Sequence, residues 1–220
     1  MDPLLSFARG PMLQIAIAVF CFGVLWRLLA IFLLRHRRSR SPARHGRLRA
    51  LIEGALVAGT RSWPHKVFIR RTGYGEALGY AYHLGLFIVI LLFAPHITFF
   101  KGIIGVGWPA LPSSLINIIA VLTLALLLGV LVRRISKPVL RMLSNFDDYF
   151  SWLLVTATVV TGLMATAHLG GPYSQLLAWH ILSVDALLIW FPFGKLMHAF
   201  YIFPSRVING YTLARKGGAS

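Results

Sequence analysis

Four or five apolar runs, each of roughly 20 residues, dominate this chain. Each run is long enough to cross a hydrocarbon core about 30 Å thick at a rise of about 1.5 Å per residue. Backbone polar groups in lipid must be paired within their own segment, so each run is expected to be a helix. The predicted helices cover residues 11–34, 78–100, 113–134, 149–169 and 176–203.

Composition agrees with a membrane location. Of the 220 residues, 57% are hydrophobic and only 13% are charged, and the mean hydropathy is +0.73. A soluble surface cannot be built from that balance. We therefore expect an all-α integral membrane protein in which residues 1–220 form a single domain, a bundle of five transmembrane helices.

The net charge of +16 is concentrated after the first, third and fifth runs. The basic positions lie in residues 35–49, 61–71 and 133–141 and at Arg206, Arg215 and Lys216. This alternation predicts an outside N-terminus and a cytoplasmic C-terminus, with the basic segment 35–76 in the cytoplasm. The charge is then a signal for topology and for lipid headgroups, and it does not require nucleic acid. We expect a multi-pass protein of a bacterial or archaeal cytoplasmic membrane.

Two shorter stretches have local signatures. "RLRALIEGALVAGT" (47–60) is typical of an amphipathic helix at the cytoplasmic surface. "SNFDDYFSW" (144–152) reads as a helix start, with Ser144 or Asn145 as the cap. Asp147 and Asp148 then fall in the first turn, where the helix dipole favours negative charge.

Histidines are the candidate ligands, because the single Cys21 has no thiol partner. Helix two is predicted to run outward and helix five inward, so each depth holds one histidine from each helix. The pair near the cytoplasm is His83 with His198. The pair near the outer face is His96 with His180. Two neutral imidazoles on facing helices are what bis-histidine ligation of a haem iron requires. The other four histidines are His36, His45 and His65, which we expect to be solvated, and His168 at the outer end of helix four.

Helical periodicity tests these pairs. His180 and His198 are 18 residues apart, which is five turns and one face of an uninterrupted helix. His83 and His96 are 13 residues apart, which leaves them about 140° apart around an ideal helix. Pro95 precedes His96 and can end or kink the helix there, which would re-aim the side chain. Pro192 is expected to kink helix five.

Three other ionisable residues have two open interpretations each. Asp185 inside helix five is either a proton-relay group for quinol chemistry or a hydrogen-bonded structural acid. Lys101, in the outer loop 101–114, could hydrogen-bond a quinone oxygen or be simply solvated. Lys195 could meet a haem propionate or extend to the lipid headgroups.

The stretch "FPFGKLMHAFYIFP" (191–204) resembles the end of the last helix in the gamma subunit of respiratory nitrate reductase. That subunit is a dihaem cytochrome b membrane anchor in which a Phe-Pro-Phe motif precedes the second haem-ligating histidine. The family's spacing of the two histidines matches the 18 residues between His180 and His198. "YHLGLFIVILLFAPH" (82–96) and "FDDYFSWLLVTATVVTGL" (146–163) resemble the family's second and fourth helices.

The resemblance implies two haem b groups. His83 and His198 would ligate the haem nearer the cytoplasm, and His180 the haem nearer the outside. In nitrate reductase the two ligands of helix two are closer than 13 residues, and that spacing would select Phe93 here. The difference points to the broader superfamily, such as membrane subunits of sulfur-metabolising or heterodisulfide-reductase-like complexes. His96 is the fourth ligand by depth, and His168 is the reserve.

The function expected from this resemblance is electron transfer within an oxidoreductase complex. Quinol would be oxidised, or quinone reduced, near one haem, and a cytoplasmic iron–sulfur subunit would exchange the electrons. One alternative is a proton-coupled transporter that uses the histidines and Asp185. Such a transporter is expected to show broken helices or inverted repeats, and neither is visible in the sequence. The other alternative is a cofactor-free membrane anchor.

Overall fold

The computed structural model describes residues 2–33, 42–60 and 67–218. This part of the chain consists of helices joined by turns and contains no strand. The α-helices are α1 (Pro3–Phe7), α2 (Leu13–Leu33), α3 (Arg47–Thr60), α4 (Ile69–Leu92), α5 (Ala94–Ile104), α6 (Ser113–Ser136), α7 (Pro138–Leu143), α8 (Phe146–Ala167), α9 (Tyr173–Trp190) and α10 (His198–Arg215). A π-helical turn, Ala8–Met12, joins α1 to α2, and a 3₁₀ turn, Lys195–Met197, precedes α10.

Several of these helices are long and apolar enough to cross a membrane. Within the described residues there are four: Pro3–Ile31, Ile69–Leu92, Ser113–Ser136 and Phe146–Ala167. Helices α9 and α10 pass the same test together, as one broken span, which would be the fifth. The predicted all-helical class with four or five membrane-length helices is thus confirmed. The orientation in the membrane and the single-domain organisation stay predictions.

Contacts between Cα atoms divide the chain into two compact units. Unit 1 comprises Met1–Val19 and Tyr74–Trp190, and unit 2 comprises Phe20–Gly73 and Phe191–Ser220. In unit 1, α8 packs between α6 and α9, and the N-terminal turns pack on α9. In unit 2, α3 packs along α10.

The second predicted helix, 78–100, differs from what the structure contains. Helix α4 begins earlier, at Ile69, and ends at Leu92, and Phe93 then has an extended backbone with φ −86° and ψ 127°. Helix α5 starts afresh with Pro95 in its first turn, where the missing N–H of proline costs no hydrogen bond. The expectation of one helix through residue 100 is corrected, because the chain leaves the helix just before this proline. Lys101 consequently lies in the last turn of α5 and not in a loop.

The fifth predicted helix, 176–203, is also interrupted. Helix α9 ends at Trp190, residues 191–194 form a turn, and α10 begins at His198. Pro192 and Gly194 lie in this turn, and both residue types disfavour helix continuation. An unbroken helix between His180 and His198 is therefore wrong, and the five-turn periodicity argument no longer relates their directions.

Two local predictions agree with the structure. Helix α3 occupies residues Arg47–Thr60, the stretch that the sequence predicts. Asn145 caps α8 through a capping box, in which its side chain accepts from the Asp148 N–H and the Asp148 carboxylate accepts from the Asn145 N–H. Asp148 also pairs with Arg134 at 3.0 Å. Of the basic segment, residues 34–41 and 61–66, which include His36 and His65, lie outside the described residues.

Candidate functional site

The break at Phe93 decides where His96 lies. On a continuous helix His96 would project about 140° away from His83. Because α5 restarts at Ala94, that relation does not hold, and the His96 ring lies beside the His180 ring of α9. The two ring centres are 6.2 Å apart, and the ring planes are inclined by 20°. The structure thus brings together the two histidines predicted to form the outer pair.

The two rings are stacked at a distance that offset aromatic pairs also adopt, and two imidazoles on one metal ion would have a similar distance between ring centres. An imidazole nitrogen lies about 2 Å from a bound metal. Two axial imidazoles on opposite sides of one iron therefore have ring centres about 6 Å apart. A pair of rings packed face to face without an intervening atom would lie closer, although offset aromatic pairs extend to about 7 Å.

His96 is held by the backbone of the preceding helix. Its Nδ1 lies 3.0 Å from the carbonyl oxygen of Val89, close to the end of α4. A carbonyl oxygen can only accept, so Nδ1 carries the hydrogen and donates it. The other ring nitrogen, Nε2, then has its lone pair available. The ring of Phe93 meets the His96 ring edge-on, with the two centres 5.3 Å apart.

His180 is held by hydroxyl groups at the contact of α8 with α9. Its Nδ1 lies 3.3 Å from the Thr161 hydroxyl oxygen, which lies 2.9 Å from the Ser183 hydroxyl. The Thr161 hydroxyl also lies 2.8 Å from the Ala157 carbonyl and 3.2 Å from the Thr158 carbonyl, and the Ser183 hydroxyl lies 2.7 Å from the His180 carbonyl. With the His180 hydrogen on Nδ1, the Thr161 oxygen is its acceptor.

The Val89 carbonyl fixes the His96 hydrogen on Nδ1, and the same tautomer of His180 would donate to Thr161 and leave Nε2 bare. Metal-ligating histidines commonly have this arrangement, because a partner on the outer nitrogen orients the ring and raises its basicity. Gly162 supports the packing, since a Cβ at this position would lie only 3.1 Å from the His180 Cε1 atom. His96 and His180 are therefore the candidate pair of ligands at this helix contact.

Asp185 lies on α9, five residues after His180. It is fully buried, and no hydrogen-bond partner for either carboxylate oxygen exists among the described residues. No other Asp, Glu, Lys or Arg in the described ranges is buried. The interpretation as a hydrogen-bonded structural acid has no contact in support of it, whereas an ionisable group kept inside a span is a functional candidate.

The two histidines predicted to lie nearer the cytoplasm belong to different units. His83 lies on α4 in unit 1, with its Nδ1 2.8 Å from the Gly79 carbonyl and its ring stacked on Tyr82, centres 4.2 Å apart. His198 is exposed at the start of α10 in unit 2, with its Nδ1 2.8 Å from the Lys195 carbonyl. Each therefore has the same tautomer as the outer pair. Their pairing stays a prediction.

The other two candidates, Lys101 and His168, both belong to unit 1. Lys101 is exposed and follows His96 by five residues on α5, so the side chains leave the helix about 140° apart. His168 is exposed and ends α8 in the left-handed conformation, with φ 53°. Its ring centre is 5.2 Å from that of Tyr173. His96, and not the reserve His168, is the residue that lies beside His180.

Sequence reasoning missed the groups that hold His180. Thr161 and Ser183 were not singled out, and neither was Gly162. Ser183 follows His180 by three residues, one helical turn, so a search for hydroxyls one turn from each candidate ligand could have found it. Thr161 is on another helix, and its contact with His180 depends on how α8 and α9 pack.

No group of three or more His, Cys, Asp or Glu residues in the described ranges could hold a metal ion by itself. A two-histidine site suits an iron that brings its own four macrocycle nitrogens. Fold and site thus define a class: a helical protein with four or five membrane-length helices and a half-buried pair of histidines.

A protein of Nitratidesulfovibrio vulgaris (strain Hildenborough) is 30% identical to the chain over 224 residues. The aligned region covers 98% of the chain and 96% of that protein. The chain belongs to the same family as this bacterial protein. No protein-family model matches the chain, and no solved structure matches it significantly.

Proposed function

We propose that the chain is a haem b-containing membrane subunit that carries electrons between the quinone pool and a cytoplasmic iron–sulfur subunit. The observation that carries this proposal is the His96–His180 pair, with ring centres 6.2 Å apart and both Nδ1 atoms engaged. A haem bound there would supply one-electron redox chemistry. The chain would fix the two axial nitrogens and set the polarity around the macrocycle.

The remaining predicted residues have roles around this pair. His83 and His198 are assigned to a second haem nearer the cytoplasm, on the strength of the sequence resemblance. Lys101, on the same helix as His96, is assigned to a quinone oxygen. Asp185 is assigned to proton transfer from quinol, because its buried carboxylate has no other partner among the described residues. The proposed location is a cytoplasmic membrane, because several described helices are long and apolar enough to span one.

The experiment that tests the proposal is haem quantification on the purified full-length protein by pyridine haemochrome. We expect two haem b groups per chain. His96→Ala and His180→Ala should each remove one haem, and it should be the same one, because an axial site loses its iron when either ligand goes. His83→Ala and His198→Ala should each remove the other.

His168→Asn is the matched control, because asparagine tolerates the left-handed conformation that this position adopts. It should retain both haems. Loss of a haem in His168→Asn together with retention in His96→Ala would transfer the ligand role to His168. A folded wild-type protein without haem, expressed with adequate haem supply, would refute the proposal.

A second candidate is a proton-coupled transporter, and two observations favour it. At Phe93 and at residues 191–194 the structure has full helix breaks, close to the two prolines at which the sequence suggested a kink, and broken helices line substrate sites in many transporters. Asp185 supplies a buried ionisable group. A reduced-minus-oxidised absorbance spectrum separates the candidates, since only the cytochrome has a haem band. Proton uptake into vesicles by haem-free protein, abolished by Asp185→Asn, would favour the transporter.

A further inference from the structure

We propose that α3 and α10 form a binding site for an anionic phospholipid. The site lies wholly in unit 2 and does not depend on the proposed haem function. Its core is a groove of about 470 Å³ lined by Arg47, Leu48, Leu51 and Tyr211. The groove is shallow and mostly open to its surroundings.

The groove exists because the two helices touch through their backbones. A Cβ on Gly54 would lie 2.5 Å from the Tyr211 backbone nitrogen, and one on Gly210 would lie 2.8 Å from the Gly54 Cα. Ala50 and Ala214 are fully buried along the same contact. Because small residues occupy the face of α3 that contacts α10, the larger apolar side chains of α3 lie away from this contact.

That other side of α3 is an exposed apolar stripe. Leu48 is 72% exposed, Leu51 50%, Ile52 53% and Leu56 60%. Their spacing of three, four and eight residues places all four on one face. Such a face is unfavourable in water and suits acyl chains at the boundary of a bilayer.

The polar end of the groove is cationic. Arg47 lines it directly, and Arg215 donates to the Tyr211 hydroxyl at 3.2 Å with its guanidinium 5.9 Å from the Tyr211 ring centre. The one acid among the described residues of unit 2 is Glu53, and it is engaged by Arg49 at 2.7 Å. No other described carboxylate in this unit competes for Arg47 and Arg215.

Charge and shape together select the occupant. A phospholipid with a negative headgroup offers a phosphate for the arginines and acyl chains for the leucines. A soluble acidic segment would satisfy the arginines but would leave the leucine stripe exposed. Residues Phe20–Ile31 of unit 2 belong to a membrane-length helix, so lipid is available to this unit.

Native mass spectrometry of the delipidated full-length protein tests the site. Phosphatidylglycerol and phosphatidylcholine with identical acyl chains are the two probes. We expect phosphatidylglycerol to bind about tenfold more tightly, and Arg47→Gln combined with Arg215→Gln to reduce that preference to within about twofold. Arg49→Gln combined with Glu53→Gln is the matched control, because Arg49 lies about 200° around α3 from Arg47 and the double change leaves no freed carboxylate. It should leave the preference unchanged.

Equal binding of the two lipids would overturn the proposal, and so would an equal loss in the control that combines Arg49→Gln with Glu53→Gln. Two competitors identify other occupants. If a polyglutamate peptide binds in an Arg47-dependent way and phosphatidylglycerol does not, the surface accepts an acidic protein segment, and the lipid assignment is wrong. If inorganic phosphate displaces phosphatidylglycerol at equal concentration, the leucine stripe contributes nothing, and the lipid assignment is again wrong.

Discussion

The contacts α8–α9 and α3–α10 solve helix packing in different ways. Between α8 and α9 lie hydroxyl groups and an imidazole, with Thr161 bonded to both His180 and Ser183. Between α3 and α10 the backbones touch at Gly54 and Gly210, and the buried side chains are small and apolar. In the second contact the charged residues lie at the rim.

This difference indicates which of the two helix contacts is the better candidate for a functional site. Close approach of helices through glycine and alanine is common and is explained by packing alone. Polar groups placed inside a membrane-length helix bundle carry a desolvation cost, so they are retained where they bond to one another or serve a ligand. The α8–α9 contact is therefore the candidate functional site, and the α3–α10 contact is explained by packing, with the proposed lipid site at its rim.

The largest effect is expected from Gly54→Ala. The added Cβ would lie 2.5 Å from the Tyr211 backbone nitrogen, which cannot rotate away as a side chain could. We expect α10 to be displaced at a cost of about 3 kcal/mol, seen as lost protection of α3 and α10 in hydrogen–deuterium exchange. Gly59→Ala is the control, because a Cβ there meets nothing within 4 Å. Equal protection in the two variants would mean that the backbones do not pack this closely.

Much of the fold could be predicted because membrane helices follow from local sequence. The run at 113–134 became α6 (Ser113–Ser136), and the amphipathic stretch 47–60 became α3. The helix breaks could not be predicted with the same certainty, since proline is tolerated inside many membrane helices when neighbours satisfy the freed backbone groups. Hydropathy is also averaged over a window, and it does not register an interruption of four residues.

The two candidate ligands could be predicted from the sequence, but the residues that hold them in place could not. His96 and His180 stand out because an ionisable group in an apolar run is unusual. Thr161 does not stand out, since a threonine can bond to its own helix backbone, and its second bond depends on packing between helices. The close approach of Gly54 to Gly210 is likewise a property of two helices far apart in the sequence.

A smaller effect is expected from Thr161→Val, which removes the acceptor of the His180 Nδ1–H while keeping the shape of the side chain. We expect a loss of about 1 kcal/mol in the free energy of unfolding. If haem is bound as proposed, the midpoint potential of the outer haem should also shift, on the order of 40 mV. Thr161→Ser keeps the hydroxyl and should restore the wild-type potential. A potential that is the same in both variants would show that Thr161 only packs.

The smallest effect is expected from Asn145→Ala at the start of α8. The variant removes the side chain that accepts from the Asp148 N–H, which costs about 0.5–1 kcal/mol. Asn145→Ser keeps a capping oxygen and should be nearly neutral, as thermal unfolding of the detergent-solubilised protein can measure. Because the cap lies about four turns from Thr161 along α8, it should leave the potential of the outer haem unchanged. Asn145→Ala and Thr161→Val then lower stability by similar amounts, but only Thr161→Val shifts the midpoint potential of the outer haem. If Asn145→Ala shifted the potential as well, the hydroxyl contact would have no special role, because any loosening of α8 would have the same consequence.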